Sequence, residues 1–215
     1  MDVAQNLAAV EKNVGNDVKL AAVSKFQPSE AIMCAYDAGQ KIFAESRPQE
    51  LAAKYQELPK DIQWHFIGHL QTNKLKMIVP FVALIHSVDS EKLLQSIDAA
   101  ANNAGRIVDV LLQLHVADEQ TKQGFSKQEI INIMDDVTQY PNVNVKGLMA
   151  MATYTDDVEQ VKSEFMQAKN LFDALRMSHG DNLDILSMGM SGDYEIAIEC
   201  GATIVRVGST IFGGR

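Results

Sequence analysis

Val108-Asp109-Val110-Leu111-Leu112-Gln113-Leu114-His115-Val116-Ala117 is nearly continuous in apolar residues, broken only by Asp109, Gln113 and His115. A strand with one wet face alternates apolar and polar side chains. A strand covered on both faces, as in a parallel sheet flanked by helices, need not. Residues 108–117 therefore read as a central parallel strand. Before them, Ser90 starts a helix through Leu93, Leu94, Ile97 and Ala101 to Gly105. After them, Ser126 and Glu129 have the spacing of a capping box for a helix to about Tyr140. The polar stretch between, 118–125 with Gly124, reads as a loop on the active face.

The same grammar extends outward in both directions. Val3, Leu7, Val10 and Val14 recur at helical spacing and are closed by Gly15. Residues 19–26 read as the first strand. Pro28 and Glu30 open a helix that Gly39 stops, the usual placing of proline at the start and glycine past the end. Strands follow at 41–46, 62–69 and 83–88, separated by helices over 47–58, with Pro48 in its first turn, and 71–82. Beyond the central strand come strands at 143–152, 184–188 and 202–207. Thr155, Asp156 and Asp157 open a long helix through Val158, Phe165 and Leu175, and a short helix runs from Ser191 to Cys200-Gly201. Eight strands alternate with helices, with no low-complexity linker and no shift in composition. The expected fold is a single-domain (β/α)8 TIM barrel over 1–215 with an extra N-terminal helix. A doubly wound open sheet is the other arrangement that this alternation permits.

Composition narrows the function classes. The net charge is −9 and Lys and Arg form no cluster, which argues against a nucleic-acid surface. Residues 1–15 lack the basic leader and long apolar core of a signal peptide, and no apolar run is long enough to span a bilayer. The two cysteines, Cys34 and Cys200, fall in expected helices and form no disulfide framework, so a soluble protein of the reducing cytoplasm is expected. His65 and His69 would grip one ion on a helix, but on a strand they stand about 13 Å apart. No metal is expected. The stretch from Gly68 to Lys74 lacks the second glycine of a P-loop, so no nucleotide is read there. Lys122 and Lys127 read as solvated, and Met149 and Met151 as packing residues.

The chemistry gathers at strand ends. Period-two alternation puts Ala21, Val23 and Lys25 on one face of the first strand, so a primary amine follows two small apolar side chains. Burial of such an amine lowers its pKa and makes it a nucleophile toward carbonyl compounds; the alternative is a lysine whose charged end reaches water. In (β/α)8 barrels phosphates are often held by the loops after strands seven and eight. Here those loops read Met188-Gly189-Met190-Ser191-Gly192-Asp193 and Gly208-Ser209-Thr210. Glycines allow close backbone approach, and amides with hydroxyls at a helix start suit an anion. Alternatively, Ser191 caps a helix and Gly208 makes a turn. Asp193 would repel a phosphate unless it points away. Arg206 shares parity with Ile204 and Gly208, which aims it at the barrel mouth, unless it is paired structurally with a carboxylate such as Glu45. His115 reads as a core or rim histidine.

Ala22-Val23-Ser24-Lys25, the run from Trp64 to Lys74, Leu186-Ser187-Met188-Gly189-Met190-Ser191 and Val205-Arg206-Val207-Gly208 to Phe212-Gly213 together resemble a known family. The chain looks like the pyridoxal phosphate homeostasis proteins, relatives of the N-terminal barrel of alanine racemase, over almost its whole length. That resemblance implies that Lys25 carries pyridoxal 5'-phosphate (PLP) as an internal Schiff base. By the same resemblance Arg206 faces the pyridine nitrogen, and Ser191, Gly208 and Ser209 hold the phosphate. Many members have Gly-Glu-Asn where this chain has Ala44-Glu45-Ser46, so any cofactor contact from that asparagine is not carried over. In the resembling racemases a second acid/base comes from a C-terminal β-domain, and this chain stops at Arg215.

The resulting expectation is a PLP-binding carrier or regulator in intracellular PLP homeostasis rather than an enzyme. It would be monomeric, with apo forms of PLP-dependent enzymes as acceptors. The alternatives are a small racemase-like PLP enzyme whose second base, Tyr154, His115 or Lys122, lies on a barrel loop, and a cofactor-free sugar-phosphate barrel enzyme.

Overall fold

The structure is a computed structural model that describes residues 2–117 and 123–214. Its strands form a closed parallel barrel in the order β1 to β8, with β8 pairing back onto β1. The elements are α1 (Val3–Val14), β1 (Lys19–Val23), α2 (Ser29–Asp37), β2 (Ile42–Glu45), α3 (Pro48–Glu57), β3 (Gln63–Phe66) and α4 (Leu75–Ile78). Then come β4 (Leu84–Val88), α5 (Glu91–Asn103), β5 (Val108–Leu114), α6 (Lys127–Asp135), β6 (Val143–Ala150) and α7 (Val158–His179). The chain continues through β7 (Ile185–Ser187), α8 (Tyr194–Glu199), β8 (Ile204–Val207) and α9 (Ser209–Phe212). The closed order excludes the doubly wound sheet. No helix among the described residues is long and apolar enough to cross a membrane.

Alternation along each strand divides two cores. Leu20 and Ala22 of β1 face the helical layer, where Phe43, Trp64, Phe66, Leu94, Ile97, Phe165 and Phe172 are packed. Ala21 and Val23 face the barrel interior with Ala44 and Ile204. A further interior layer contains Leu84, Leu111 and Met149. In β5 six of seven residues are buried, as a strand covered on both faces requires. The added helix α1 fastens the ends of the chain together: the Asn6 amide donates to the Ile211 carbonyl at 3.0 Å and Asn13 to the Tyr194 hydroxyl at 3.1 Å.

Helix starts follow local chemistry. The Ser126–Glu129 capping box forms reciprocally, with bonds of 3.3 and 2.7 Å. Asp157 accepts from the amides of Glu159 and Gln160, and Ser90 from that of Leu93. Strand ends are where sequence and structure part. β1 stops at Val23, β3 at Phe66 and β5 at Leu114, each short of the apolar run that signalled it. Parallel pairing ends where the neighbouring strand ends, and the remaining apolar residues line the mouth instead. The expected helix over 71–82 is a 3-10 turn, Thr72–Lys74, followed by the four-residue α4.

At Gly147 the backbone has φ +147, and a Cβ there would lie 1.9 Å from the Ile185 carbonyl oxygen across the β6–β7 pairing. The same residue follows a register shift between β5 and β6. Gly147→Ala is expected to destabilise the barrel by about 3 kcal/mol or more, read as a lower urea midpoint at unchanged m-value.

Candidate functional site

β1 delivers the turn Ser24-Lys25-Phe26 to the C-terminal mouth of the barrel. Ser24 is buried, whereas Lys25 is exposed, two residues beyond the strand. Of the two readings of this lysine, the one whose charged end reaches water is the one seen: once β1 ends at Val23 the chain turns outward, and Lys25 stands at the rim rather than in the interior. Phe26 follows in the left-handed region at φ +65, with the Arg47 guanidinium 4.4 Å over its ring.

Lys25 lines a cavity of about 640 Å³ with Ser191, Asp193, Arg206, Gly208 and Ser209. All five residues singled out in the sequence, Lys25, Ser191, Arg206, Gly208 and Ser209, thus border one space. Gly208 belongs there for a packing reason. A Cβ on it would lie 3.0 Å from the Val23 carbonyl oxygen and 3.1 Å from the Val23 Cβ, so its absence lets the end of β8 close against the end of β1. Ser191 does not start a helix, as α8 begins at Tyr194. Its hydroxyl instead accepts from the Gly208 amide at 3.2 Å and ties the two loops together. The expected helix from Ser191 is shortened because the Asp193 carboxylate accepts from the Met190 amide at 2.5 Å, closing a tight turn first. Ser209 opens α9, and the amides of Ser209 and Thr210 have no acceptor among the described residues. Burial raises the pKa of Asp193, against the Met190 amide and the Arg206 charge.

Arg206 lies inside the barrel mouth, 3 % exposed. It does not meet Glu45, whose carboxylate pairs with Lys54 at 2.7 Å. Nη1 of Arg206 donates to Ser187 Oγ at 2.6 Å and Nη2 to the Ala150 carbonyl at 3.1 Å. Burial lowers its pKa to about 10, so it stays protonated at neutral pH. Ser187 contacts His86 Nδ1 at 2.9 Å, and His86 Nε2 contacts His65 Nδ1 at 2.9 Å. Arginine only donates. Ser187 Oγ therefore accepts from it, and with one proton on each ring the Ser187–His86 and His86–His65 contacts each pair one donor with one acceptor. Burial pushes His65 to about 3, and burial together with His65 and Arg206 holds His86 well below its ordinary value. Both rings are neutral.

His86 and Ser187 were missed in the sequence. Each sits on a strand whose residues are almost all buried, so no pattern distinguishes them until the barrel closes. His65 and His69 are separated in role as well as in place. His65 is interior, while His69 is exposed and 3.0 Å from Asp89. His115 lies just past β5 and, with Gln113, Met151, Tyr154 and Met190, lines an adjoining cavity of about 230 Å³. Lys122 and most of the 118–125 loop lie outside the described residues. Met149 packs in the interior, whereas Met151 is exposed at the rim.

A family model described as alanine racemase, N-terminal domain, matches residues 2–215. A pyridoxal phosphate homeostasis protein from Aquifex aeolicus (strain VF5) is 41% identical over 201 residues, 93% of this chain and 88% of that protein. The protein of that name from Pasteurella multocida (strain Pm70) is 35% identical over 229 residues, 100% of this chain and 98% of its own. Among solved structures, PipY of Synechococcus elongatus PCC7942 without PLP has a TM-score of 0.92 at 36% identity, covering 98% of this chain and 100% of that one. With PLP bound, PipY has a TM-score of 0.88 at 35% identity over the same shares.

The neutral histidine pair carries a pH dependence. A free histidine has a pKa of about 6.5, so between that value and about 3 the unfolded chain binds a proton that folded His65 does not. Its contribution is complete above pH 6.5 and is lost as pH falls, by about 1.4 kcal/mol per pH unit. His65→Asn, which keeps a polar atom near the Nδ1 position, is expected to remove about that much from the slope of unfolding free energy against pH, measured by urea titration between pH 4 and 7. An unchanged slope would show that His65 is already charged in the fold.

Proposed function

The chain belongs to the family of pyridoxal phosphate homeostasis proteins, within the group described by the alanine racemase N-terminal domain, and from that premise we propose that residues 1–215 form one PLP-binding barrel acting as a carrier or regulator of the cofactor. The observation that carries this reading is the single cavity that joins the Lys25 amine to the Ser191–Gly208–Ser209 loops and to Arg206. The residues present suit the group. An amine free of any ion pair in the described structure stands at the rim, and two loop hydroxyls with the open amides of Ser209 and Thr210 stand at the other end. Gly192 leaves open space where a side chain would project.

Pyridoxal phosphate, when bound, supplies an aldehyde that condenses with primary amines and a ring that withdraws electrons. Lys25 would hold it covalently, as a Schiff base through Nζ. Ser191, Gly208 and Ser209 would hold the phosphate through hydroxyls and amides, a donor set suited to an anion. Arg206 would face the pyridine nitrogen. Two of its five N–H groups are taken by Ser187 and Ala150, which leaves donors for the cavity. A cation that cannot give up a proton keeps that nitrogen an acceptor, and an unprotonated ring withdraws electrons weakly. Weak withdrawal favours holding and releasing the cofactor over turning amino acids over. Apo forms of PLP-dependent enzymes are the proposed acceptors, and the free Cys34 and Cys200 accord with a reducing cytoplasm. The racemase-like reading draws on Tyr154, fully exposed on the rim of the same cavity, as the second proton carrier.

Borohydride reduction followed by peptide mapping tests the attachment. Lys25→Ala is expected to abolish labelling, and a label on Lys41 or Lys74 would overturn the assignment. Lys41 is paired with Asp61 at 2.9 Å. Ser191→Ala and Ser209→Ala are each expected to weaken retention of PLP by about 1 kcal/mol or more while hardly changing that of pyridoxal, which lacks the phosphate. Equal loss of both ligands would move the phosphate site elsewhere.

Turnover is tested separately by deuterium exchange at the α-carbon of a panel of L-amino acids, with chiral analysis and Lys25→Ala as control. Exchange slower than about 1 per second is expected. Lysine-dependent exchange at or above that rate, lost in Tyr154→Phe, would favour the enzyme.

A further inference from the structure

A buried ion pair adjoins the turn that carries Lys25. Lys54, on α3, has a side chain only 7% exposed, and its ammonium donates to Glu45 Oε1 at 2.7 Å, Glu50 Oε1 at 2.7 Å and the Ser24 carbonyl at 2.8 Å. An ammonium has three donors, and here they reach the end of β2, the first turn of α3 and the residue before Lys25. The same two carboxylates hold the residues on either side of Lys25. The Ser24 hydroxyl donates to Glu45 Oε1 at 2.7 Å, and the Phe26 amide donates to Glu50 Oε1 at 2.7 Å. Among the described residues no bond of this cluster involves the Lys25 side chain.

Two features argue that the cluster serves this turn rather than stability alone. A buried ion pair gains little over well-packed apolar residues, because desolvation offsets much of the attraction; Glu45 illustrates the cost, its Oε2 being buried without a partner among the described residues. Phe26 also holds a left-handed backbone at φ +65, which side-chain-bearing residues avoid unless their surroundings impose it. The Glu50 carboxylate that binds its amide is itself held by Lys54.

We propose that Lys54 is a positioning residue for Lys25: through Glu45, Glu50 and the Ser24 carbonyl it fixes the Ser24-Lys25-Phe26 turn so that the Lys25 amine meets the carbonyl carbon of the ligand. This rests on the reading of Lys25 as the amine that takes the aldehyde of PLP. The amine adds to the aldehyde carbon, the carbonyl oxygen leaves as water, and no oxidant or reductant is required. Lys54 takes no part in the bond changes. It limits the motion of the backbone that carries the nucleophile.

Three variants test this. Glu50→Ala removes the acceptor of the Phe26 amide at a partly exposed position. Lys54→Met removes the ammonium but leaves Glu45 buried without a counter-charge, so the double variant Lys54→Met/Glu45→Gln serves wherever the single one fails to fold, with thermal melting as the control. In the ligand-free protein, hydrogen exchange at the Phe26 amide is expected to quicken by about tenfold or more, the scale of one lost bond to a charged acceptor. With PLP, the borohydride-trapped Lys25 adduct is expected to form about tenfold more slowly. Affinity for pyridoxine 5'-phosphate, which has no aldehyde, should stay within about twofold, because the phosphate loops are untouched. Adduct formation at the wild-type rate in folded variants would overturn the proposal, as would equal weakening of both ligands. Wild-type protein that forms no Lys25 adduct would instead refute the cofactor reading. The exchange measurement would still decide whether Lys54 holds the turn, since unchanged Phe26 protection refutes that in the absence of any ligand.

Discussion

The seam between β1 and β8 is the constraint on which the rest of the molecule depends. Four residues of each strand pair in register, from Lys19 with Ile204 to Ala22 with Val207, and this one contact turns a row of alternating elements into a closed barrel. It also assembles the site. Lys25 lies near one end of the chain and Arg206, Gly208 and Ser209 near the other, so nothing local brings them together. The seam does, and Gly208 lets it close to the mouth because a side chain there would press on Val23. α1 strengthens the closure from outside through Asn6 and Asn13, whose partners belong to α9 and α8.

Closing a barrel this way creates an interior that must be filled, and this one is filled unevenly. Small residues, Ala21 and Ala44, occupy the β1–β2 side, and they pair in register with the polar Arg206 and His65 of the strands on either side, beyond which lie Ser187 and His86. Burying such groups is costly unless each is hydrogen-bonded. Here the cost is offset by a continuous hydrogen-bonded chain from the guanidinium through Ser187 to the two rings. The result is a fixed charge at the mouth backed by neutral groups.

A second polar cluster, centred on Lys54, lies outside the barrel wall against the turn that follows β1. Among the described residues the two clusters share no hydrogen bond. One sets the electrostatics of the cavity through Arg206, and the other bears on the backbone of Lys25.

What the sequence by itself determined is whatever depends on neighbours along the chain. The capping residues Ser90, Ser126 and Asp157 and the alternation of Ala21 and Val23 are local signals that appear in the fold as read, and the apolar run at 108–117 appears as a strand that stops at Leu114. That Lys25, Ser191, Arg206, Gly208 and Ser209 gather at one mouth was legible because they fall in loops and strand ends whose place in a barrel follows from counting elements. Only the tertiary structure decided where pairing stops, and so that Lys25 stands exposed beyond β1 instead of buried in it. It alone decided that Ser191 bridges to Gly208 instead of capping a helix, and that Glu45 belongs to Lys54 and not to Arg206. His86 and Ser187 carried no readable signal for the same reason. The partner of a buried polar side chain is set by which strands meet across the interior, and that is a property of closure, not of sequence spacing.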